Sequence, residues 1–194
     1  PHFKSIETYV SSKSSIVDTA GKKQFRGTRG EMSVTDLEWR DALCDAFVKA
    51  AISLGMPINS DYNAENQEGV SYVQRTALGM FRVSAAKAFL KPVLHRKNLH
   101  VIKNSLVTKI ILKEGRAVGV NYQKISRNNK TVFVGASKEV ILAGGTINSP
   151  QLLQLSGLGP GNLLKSFGIK VESDLRGVGL NLRDHLATRL TGRV

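Results

Sequence analysis

The stretch Glu139-Val140-Ile141-Leu142-Ala143-Gly144-Gly145-Thr146-Ile147-Asn148-Ser149-Pro150-Gln151-Leu152-Leu153-Gln154-Leu155-Ser156-Gly157-Leu158-Gly159 decides how the chain is read. From Val140 to Ala143 it is apolar without a break, the pattern of a strand buried on both faces of a parallel sheet. Two glycines follow, and glycine lets a backbone turn tightly or approach a ligand closely. Ser149 and Pro150 then supply an N-cap and a first helical residue for a helix over 151–155, which Gly157 ends. Strand, glycine turn and helix in succession form the repeating unit of an α/β fold. The helix N-terminus offers free N–H groups to a phosphate; the same residues also serve as a plain β–α turn with no ligand. The chain contains neither a Gly-x-Gly-x-x-Gly fingerprint nor a phosphate loop of the Gly-Lys-Ser type.

Working back from this stretch, the period is two. Leu99 to Ile102 predicts a strand, as do Leu106 to Leu112, Ala117 to Gln123 and Thr131 to Ala136. Lys113-Glu114-Gly115-Arg116 predicts a hairpin turn with Gly115 at positive φ, and Arg127-Asn128-Asn129-Lys130 a second turn. The result is a β-meander. Further upstream, Ser84 caps a helix over 85–90 that Pro92 ends, and Val70 to Thr76 alternates as a strand. Asn59 to Gly69 is a polar loop. A helix starting near Thr35 or Asp36 places Trp39, Leu43, Phe47, Ala50 and Leu54 on one face before Gly55 and Pro57 stop it. Cys44 within it reads as a small buried hydrophobe. A short strand is expected over Glu31 to Val34. Residues 1–30, with Ser11-Ser12-Lys13-Ser14-Ser15 and Arg26-Gly27-Thr28-Arg29-Gly30, read as loop with little core. Downstream, Leu163 to Phe167 predicts a short helix stopped by Gly168, and Ile169 to Ser173 a strand.

The 194 residues are 41% hydrophobic, enough for a core, and a single cysteine excludes a disulfide scaffold or a Cys–His zinc site. No apolar run is long enough to span a membrane. The formal net charge is +13. Its densest groups, His95-Arg96-Lys97, Lys22-Lys23 and Arg127 to Lys130, are scattered and lack the interleaved aromatics of single-stranded nucleic-acid binders. The charge therefore reads first as a solvated basic surface; nucleic acid is not the expected partner, and an anionic surface or an anionic cofactor stays open to such a charge. The chain opens on Pro1-His2-Phe3 with no visible signal segment, so it reads as part of a longer sequence whose compartment is not legible.

The run from Gly145 to Gly159 resembles, position by position, the second sequence signature of the glucose–methanol–choline (GMC) oxidoreductases: a small residue after Gly, then Ser-Pro, two aliphatics, and Ser-Gly-aliphatic-Gly. Asn66-Gln67-Glu68-Gly69, Ser84 to Leu90, Asn98 to Ile110 and Gly177-Val178-Gly179-Leu180-Asn181-Leu182-Arg183-Asp184-His185 resemble the flanking segments of that family. The resemblance runs from about Gly27 to the end and is closest to the insect glucose-dehydrogenase-like branch.

The resemblance implies an α/β (mixed α+β) fold: part of an FAD-binding Rossmann-like domain with a β-meander, plus part of an antiparallel-sheet substrate domain. The implied division is substrate domain over 1–80, FAD domain over 81–165 and a return segment over 166–194. The implied activity is oxidation of CH–OH groups in small alcohols or sugars. Hydride passes to FAD, and electrons then go to a quinone, oxygen or another acceptor. Val107 matches the position whose backbone meets the adenine end of FAD, Gly144 and Gly145 the glycine turn near the cofactor, and Asp184 and His185 the turn near the flavin. No catalytic residue is implied here. The family's proton-accepting His lies far downstream, so that role is not carried onto His185, whose implied part is cofactor contact or packing. The dinucleotide-gripping glycine motif belongs upstream. A segment without either part cannot transfer hydride alone, and a non-catalytic remnant or binding module of the same fold is the alternative.

Overall fold

The computed structural model describes residues 2–11, 25–37, 39–125, 130–188 and 191. The chain forms two compact units, Pro1–His100 and Val101–Val194.

In the first unit, helix α1 (His2–Ile6) leads into strand β1 (Glu7–Val10), which pairs in parallel with β2 (Met32–Thr35). The first thirty residues are therefore not plain loop: a helix, a strand and the buried side chain of Arg26 lie among them. Of the Ser11–Ser15 run, 12–15 lie outside the described residues. The strand expected over 31–34 is present, one residue later.

Helix α2 (Ala42–Ser53) begins later than its periodicity suggests. Asp41 is its N-cap, accepting the Leu43 N–H at 2.9 Å, so Trp39 stands ahead of the helix. Ala51 is its buried residue, and Val48 and Ile52 line the adjacent cavity, Ile52 still 42% exposed; Leu43, Phe47 and Leu54 are exposed as well. Cys44 is exposed too, contrary to the buried role expected of it. Periodicity identified an apolar stripe, but which stripe is covered depends on the neighbouring segments. Gly55, at φ +89°, ends the helix as expected.

Val70–Thr76 is not a regular strand. It is extended and touches neighbours only through isolated bridges, Ile58 with Val70 and Thr35 with Arg75. Immediately after it lies a small hairpin that periodicity did not reveal, β3 (Ala77–Leu78) and β4 (Phe81–Arg82). The Ser84-capped helix is present as a π-helical turn over Ala86–Leu90, with the Ser84 hydroxyl accepting the Lys87 N–H at 3.3 Å. Pro92 does not end it outright; a 3₁₀ turn, Lys91–Val93, carries the chain through the proline.

The second unit is built on the meander: β5 (Ser105–Lys113), β6 (Arg116–Lys124) and β7 (Thr131–Gly135), antiparallel in that order. The first turn is as expected, with Glu114 at φ +50° and Gly115 at φ +75°, the two positive values of a type I′ hairpin. The second turn falls largely outside the described residues, which omit 126–129. Helix α3 (Gly145–Leu155) packs on β5. Strand β8 (Leu158–Gly159), helix α4 (Gly161–Ser166) and strand β9 (Ser173–Asp174) close the unit, with β8 and β9 parallel. The strand expected over 169–173 is reduced to its last residue and Asp174.

Two expected strands do not form. Leu99–Ile102 and Glu139–Ala143 join no ladder among the described residues, and Ile141 is 79% exposed. A strand exists only where a second backbone completes its hydrogen bonds. The apolar pattern records a demand for burial that these residues do not meet from each other. Among the described residues no helix is long and apolar enough to cross a membrane.

Candidate functional site

The decisive stretch builds one wall of a cavity of about 610 Å³ in the second unit. Val140–Gly144 runs along it, Asn148, Ser149 and Leu152 of α3 face it, and Leu106–Thr108 of β5 forms the opposite side. Val107 and Gly144, separated by 37 residues in sequence, thus line the same space.

The helix begins earlier than the Ser149-Pro150 pair suggests. Gly144 is its N-cap, and Pro150 sits inside it. Ser149 still caps, but from within: its hydroxyl accepts the Gly144 N–H at 3.0 Å. Gly145 has φ +83°, a conformation that glycine adopts freely, and a Cβ there would meet open space. Gly144 is different: a Cβ would lie 3.2–3.3 Å from Asn148 and Ser149, tighter than ordinary contact.

Strand β5 is an edge of its sheet, so half of its backbone groups point away from β6. A register shift between Val107 and Lys109 makes Thr108 the extra residue of a bulge. Ser156, 1% exposed, ties β5 to α3: it accepts the Ile110 N–H at 2.8 Å and donates to the Leu152 carbonyl at 2.6 Å. This tie was hidden in sequence, where Ser156 stood only as a letter of the 145–159 signature.

Asp184 and His185 line neither this cavity nor the neighbouring groove of about 500 Å³ along the other side of α3. That groove takes Gly179–Arg183 from the exit segment, which Gln154 holds through the Val178 carbonyl at 3.1 Å. Asp184 and His185 follow on, both exposed, with the Asp184 carboxylate accepting the His185 N–H at 2.8 Å.

The first unit has its own cavity, about 350 Å³, between α2 and the extended Val70–Tyr72. Ile52, Ile58 and Val70 make its apolar side, and Tyr72, Asp45 and Asp36 its polar one. Tyr72 donates to Asp45 at 2.6 Å while the Arg40 guanidinium lies 4.1 Å over its ring. The hydrogen bond to Asp45 raises the Tyr72 phenol above its usual range.

Beside that cavity is a buried polar network that sequence patterning missed altogether. Arg26, 6% exposed, donates Nε to Asp61 at 2.7 Å and a second N–H to the same carboxylate. Nη1 donates to Glu7 at 3.0 Å, and Nη2, the second donor to Asp61, also donates to the Gln74 side-chain carbonyl. Burial works against the guanidinium's charge, but Asp61 and Glu7 outweigh it and raise the Arg26 pKa above its ordinary value. Tyr9, under Arg26, donates to Asp36 at 2.5 Å, and Gln74 Nε2 donates to the same Asp36 at 3.2 Å. The sequence reading took Arg26-Gly27 as plain loop; in the structure a Cβ at Gly27 would collide with the backbone carbonyls of Lys4 and Glu7, so glycine is required beside the buried arginine.

Burial first, then the Asp36 hydrogen bond and charge, hold the Tyr9 phenol far above the ordinary phenol value of 10.0. The folded state therefore keeps a proton that the unfolded state gives up. The contribution is complete below about pH 10 and is lost as pH rises above it. The expected result is that urea stability falls above pH 10 in the parent protein and falls less steeply in Tyr9→Phe. Identical slopes would show that Tyr9 does not carry the alkaline loss.

Comparison with known proteins bears on both units. A model of the GMC oxidoreductase family matches residues 2–187. The chain is 42% identical over 166 residues to an oxygen-dependent choline dehydrogenase of Rhizobium johnstonii, covering 86% of this chain and 30% of that protein. It is 43% identical over 166 residues to the mitochondrial choline dehydrogenase of Homo sapiens, covering 86% and 27%. Among solved structures, an FAD-dependent oxidoreductase from Chaetomium thermophilum superposes with a TM-score of 0.83 at 32% identity, over 91% of this chain and 31% of that one. The chain thus spans about a third of the length of these relatives, and its fold class is the α/β one that they share.

Proposed function

The chain belongs to the GMC oxidoreductase family, and we propose that it supplies the middle part of an FAD-dependent enzyme that oxidises CH–OH groups of small alcohols or sugars. Bound FAD would supply the hydride-accepting chemistry, with a quinone, oxygen or another acceptor as the final electron sink. Placement in the insect glucose-dehydrogenase-like branch rests on the sequence resemblance alone.

The observation that carries this reading is the pairing of Val107 with Gly144 across one cavity. The residues present suit the adenine end of FAD. The walls are largely aliphatic, as a flat heteroaromatic ring requires, and a bulged edge strand offers backbone groups for its polar edge. Val107 would make a backbone contact, so a β-branched strand residue with no side-chain chemistry serves there. Gly144 and Gly145 would hold the turn that keeps side chains out of the cavity mouth. Asp184 and His185 would approach the cofactor from the exit segment. The cavity along Val70–Tyr72 would belong to the substrate side, where Tyr72 and Asp45 could orient a hydroxyl.

The test is expression of the complete reading frame. Flavin absorption bands at one FAD per chain are expected, together with reduction of the bound flavin on adding an alcohol or sugar substrate. Gly144→Val is expected to lower flavin content at least tenfold, with the far-ultraviolet circular dichroism unchanged. Full-length protein without flavin, even after refolding with FAD, would end this reading in favour of a non-catalytic module.

A further inference from the structure

Near the C-terminal end of α3, the Gln154 side chain lies between two glycines. A Cβ at Gly159 would stand 2.9 Å from Gln154 Cγ, and a Cβ at Gly179 would stand 2.6 Å from its Nε2. Gly179 suits its φ of +82° in any case, but Gly159 has no positive φ to require glycine. At 159 it is the closeness of Gln154 that leaves no room for a side chain. The amide held in this slot donates to the Val178 carbonyl at 3.1 Å.

That bond is the last anchor of the exit segment. Upstream, the Leu175 N–H donates to the Gly159 carbonyl at 2.9 Å. The Val178 and Leu180 N–H groups then close two successive turns on the Leu175 and Gly177 carbonyls, at 3.1 and 3.2 Å. Beyond Val178, among the described residues, no hydrogen bond joins 179–188 back to α3 or to the meander. Asn181 adds a bend at φ +58°. The direction in which the chain reaches Asp184 and His185 is thus set where Gln154 grips Val178. A single neutral hydrogen bond adds little to stability. Its weight here is geometric, because a segment fixed at one end passes any displacement of that end along its length. A displacement of about 1 Å at a group near the reacting atoms can cost on the order of 100-fold in rate.

We propose that Gln154 is a positioning residue: it clamps the 177–180 turns against α3 and so fixes where Asp184 and His185 are presented to the flavin. The proposal rests on the flavoenzyme reading above. Gln154 itself does not line the cavity shared by Val107 and Gly144, so its role is separate from holding the adenine end.

The test uses the complete protein and compares the parent with Gln154→Leu, which keeps most of the bulk and removes the amide. Hydrogen exchange of the Val178 and Leu180 backbone amides is expected to quicken about fivefold, a readout that does not depend on flavin. Flavin content is expected to stay at one per chain, while flavin reduction at saturating substrate slows at least tenfold. Gly179→Ala, whose Cβ would push the amide from the other side, is expected to reproduce both effects. In a variant carrying Asp184→Ala and His185→Ala, adding Gln154→Leu is expected to slow reduction no further, because Gln154 acts through those residues. Unchanged exchange in Gln154→Leu, loss of its flavin, faster exchange with normal reduction, or a full additional loss in the triple variant would each overturn the proposal alone. A parent without flavin would instead end the flavoenzyme reading, and the positioning role with it.

Discussion

Arg26→Leu is expected to destabilise the first unit by about 3–5 kcal/mol, read as a fall in the urea midpoint with little change in slope. The guanidinium is 6% exposed and Asp61 3%. Removing it leaves the Asp61 carboxylate buried with its bidentate partner gone and strips Glu7 of its cation. Leucine replaces much of the volume, so a lost void is not the main cost; the loss of the guanidinium from beside a buried carboxylate is. The same network explains why a lysine would not restore the site, because one ammonium cannot present the fork that meets Asp61, Glu7 and Gln74 together. Arg26→Leu combined with Asp61→Asn is accordingly expected to recover part of the loss. A single variant as stable as the parent would show that the buried pair contributes nothing net.

Gly157→Ala is expected to cost about 2–5 kcal/mol, the sum of a left-handed backbone and an overlap. Gly157 lies at φ +88°, and a Cβ there would collide with the Lys170 carbonyl and stand 2.9 Å from Glu172 Cγ. Neither neighbour can move cheaply, because the Gly157 carbonyl itself accepts the N–H of Glu172 at 2.8 Å and of Ser173 at 3.2 Å. The damage would spread to the β8–β9 pairing and to Ser156, the tie between α3 and β5. In the complete protein the expected signs are a lower unfolding temperature and weaker flavin retention. By contrast, Gly168→Ala at φ +68° has open space around its Cβ and is expected to pay only the backbone part. Equal losses in the two variants would show that the Lys170 contact is not what makes glycine necessary at 157.

The features legible from the residues alone are local ones. Glu114-Gly115 makes its turn, and Gly55, Gly157 and Gly168 stop their helices, because each residue's own φ preference decides the outcome. The three-stranded meander follows from those turns and from period-two patterning. The family was legible for a related reason: the 145–159 signature is contiguous, and so is the glycine turn it contains.

The tertiary structure decided everything that needed a distant partner. It left Val140–Ala143 and Leu99–Ile102 outside any ladder, since an apolar run states a need for burial without supplying the second backbone. It turned Val48 and Ile52, not Phe47, toward the Val70 segment, and it left Cys44 exposed. It brought Val107 to Gly144. It also drew Arg26 against Asp61, Glu7 and Gln74, positions 35, 19 and 48 residues away. A charged residue in a polar stretch carries no mark of burial; only the carboxylates that fold around it make burial tolerable, and their arrival depends on the whole unit.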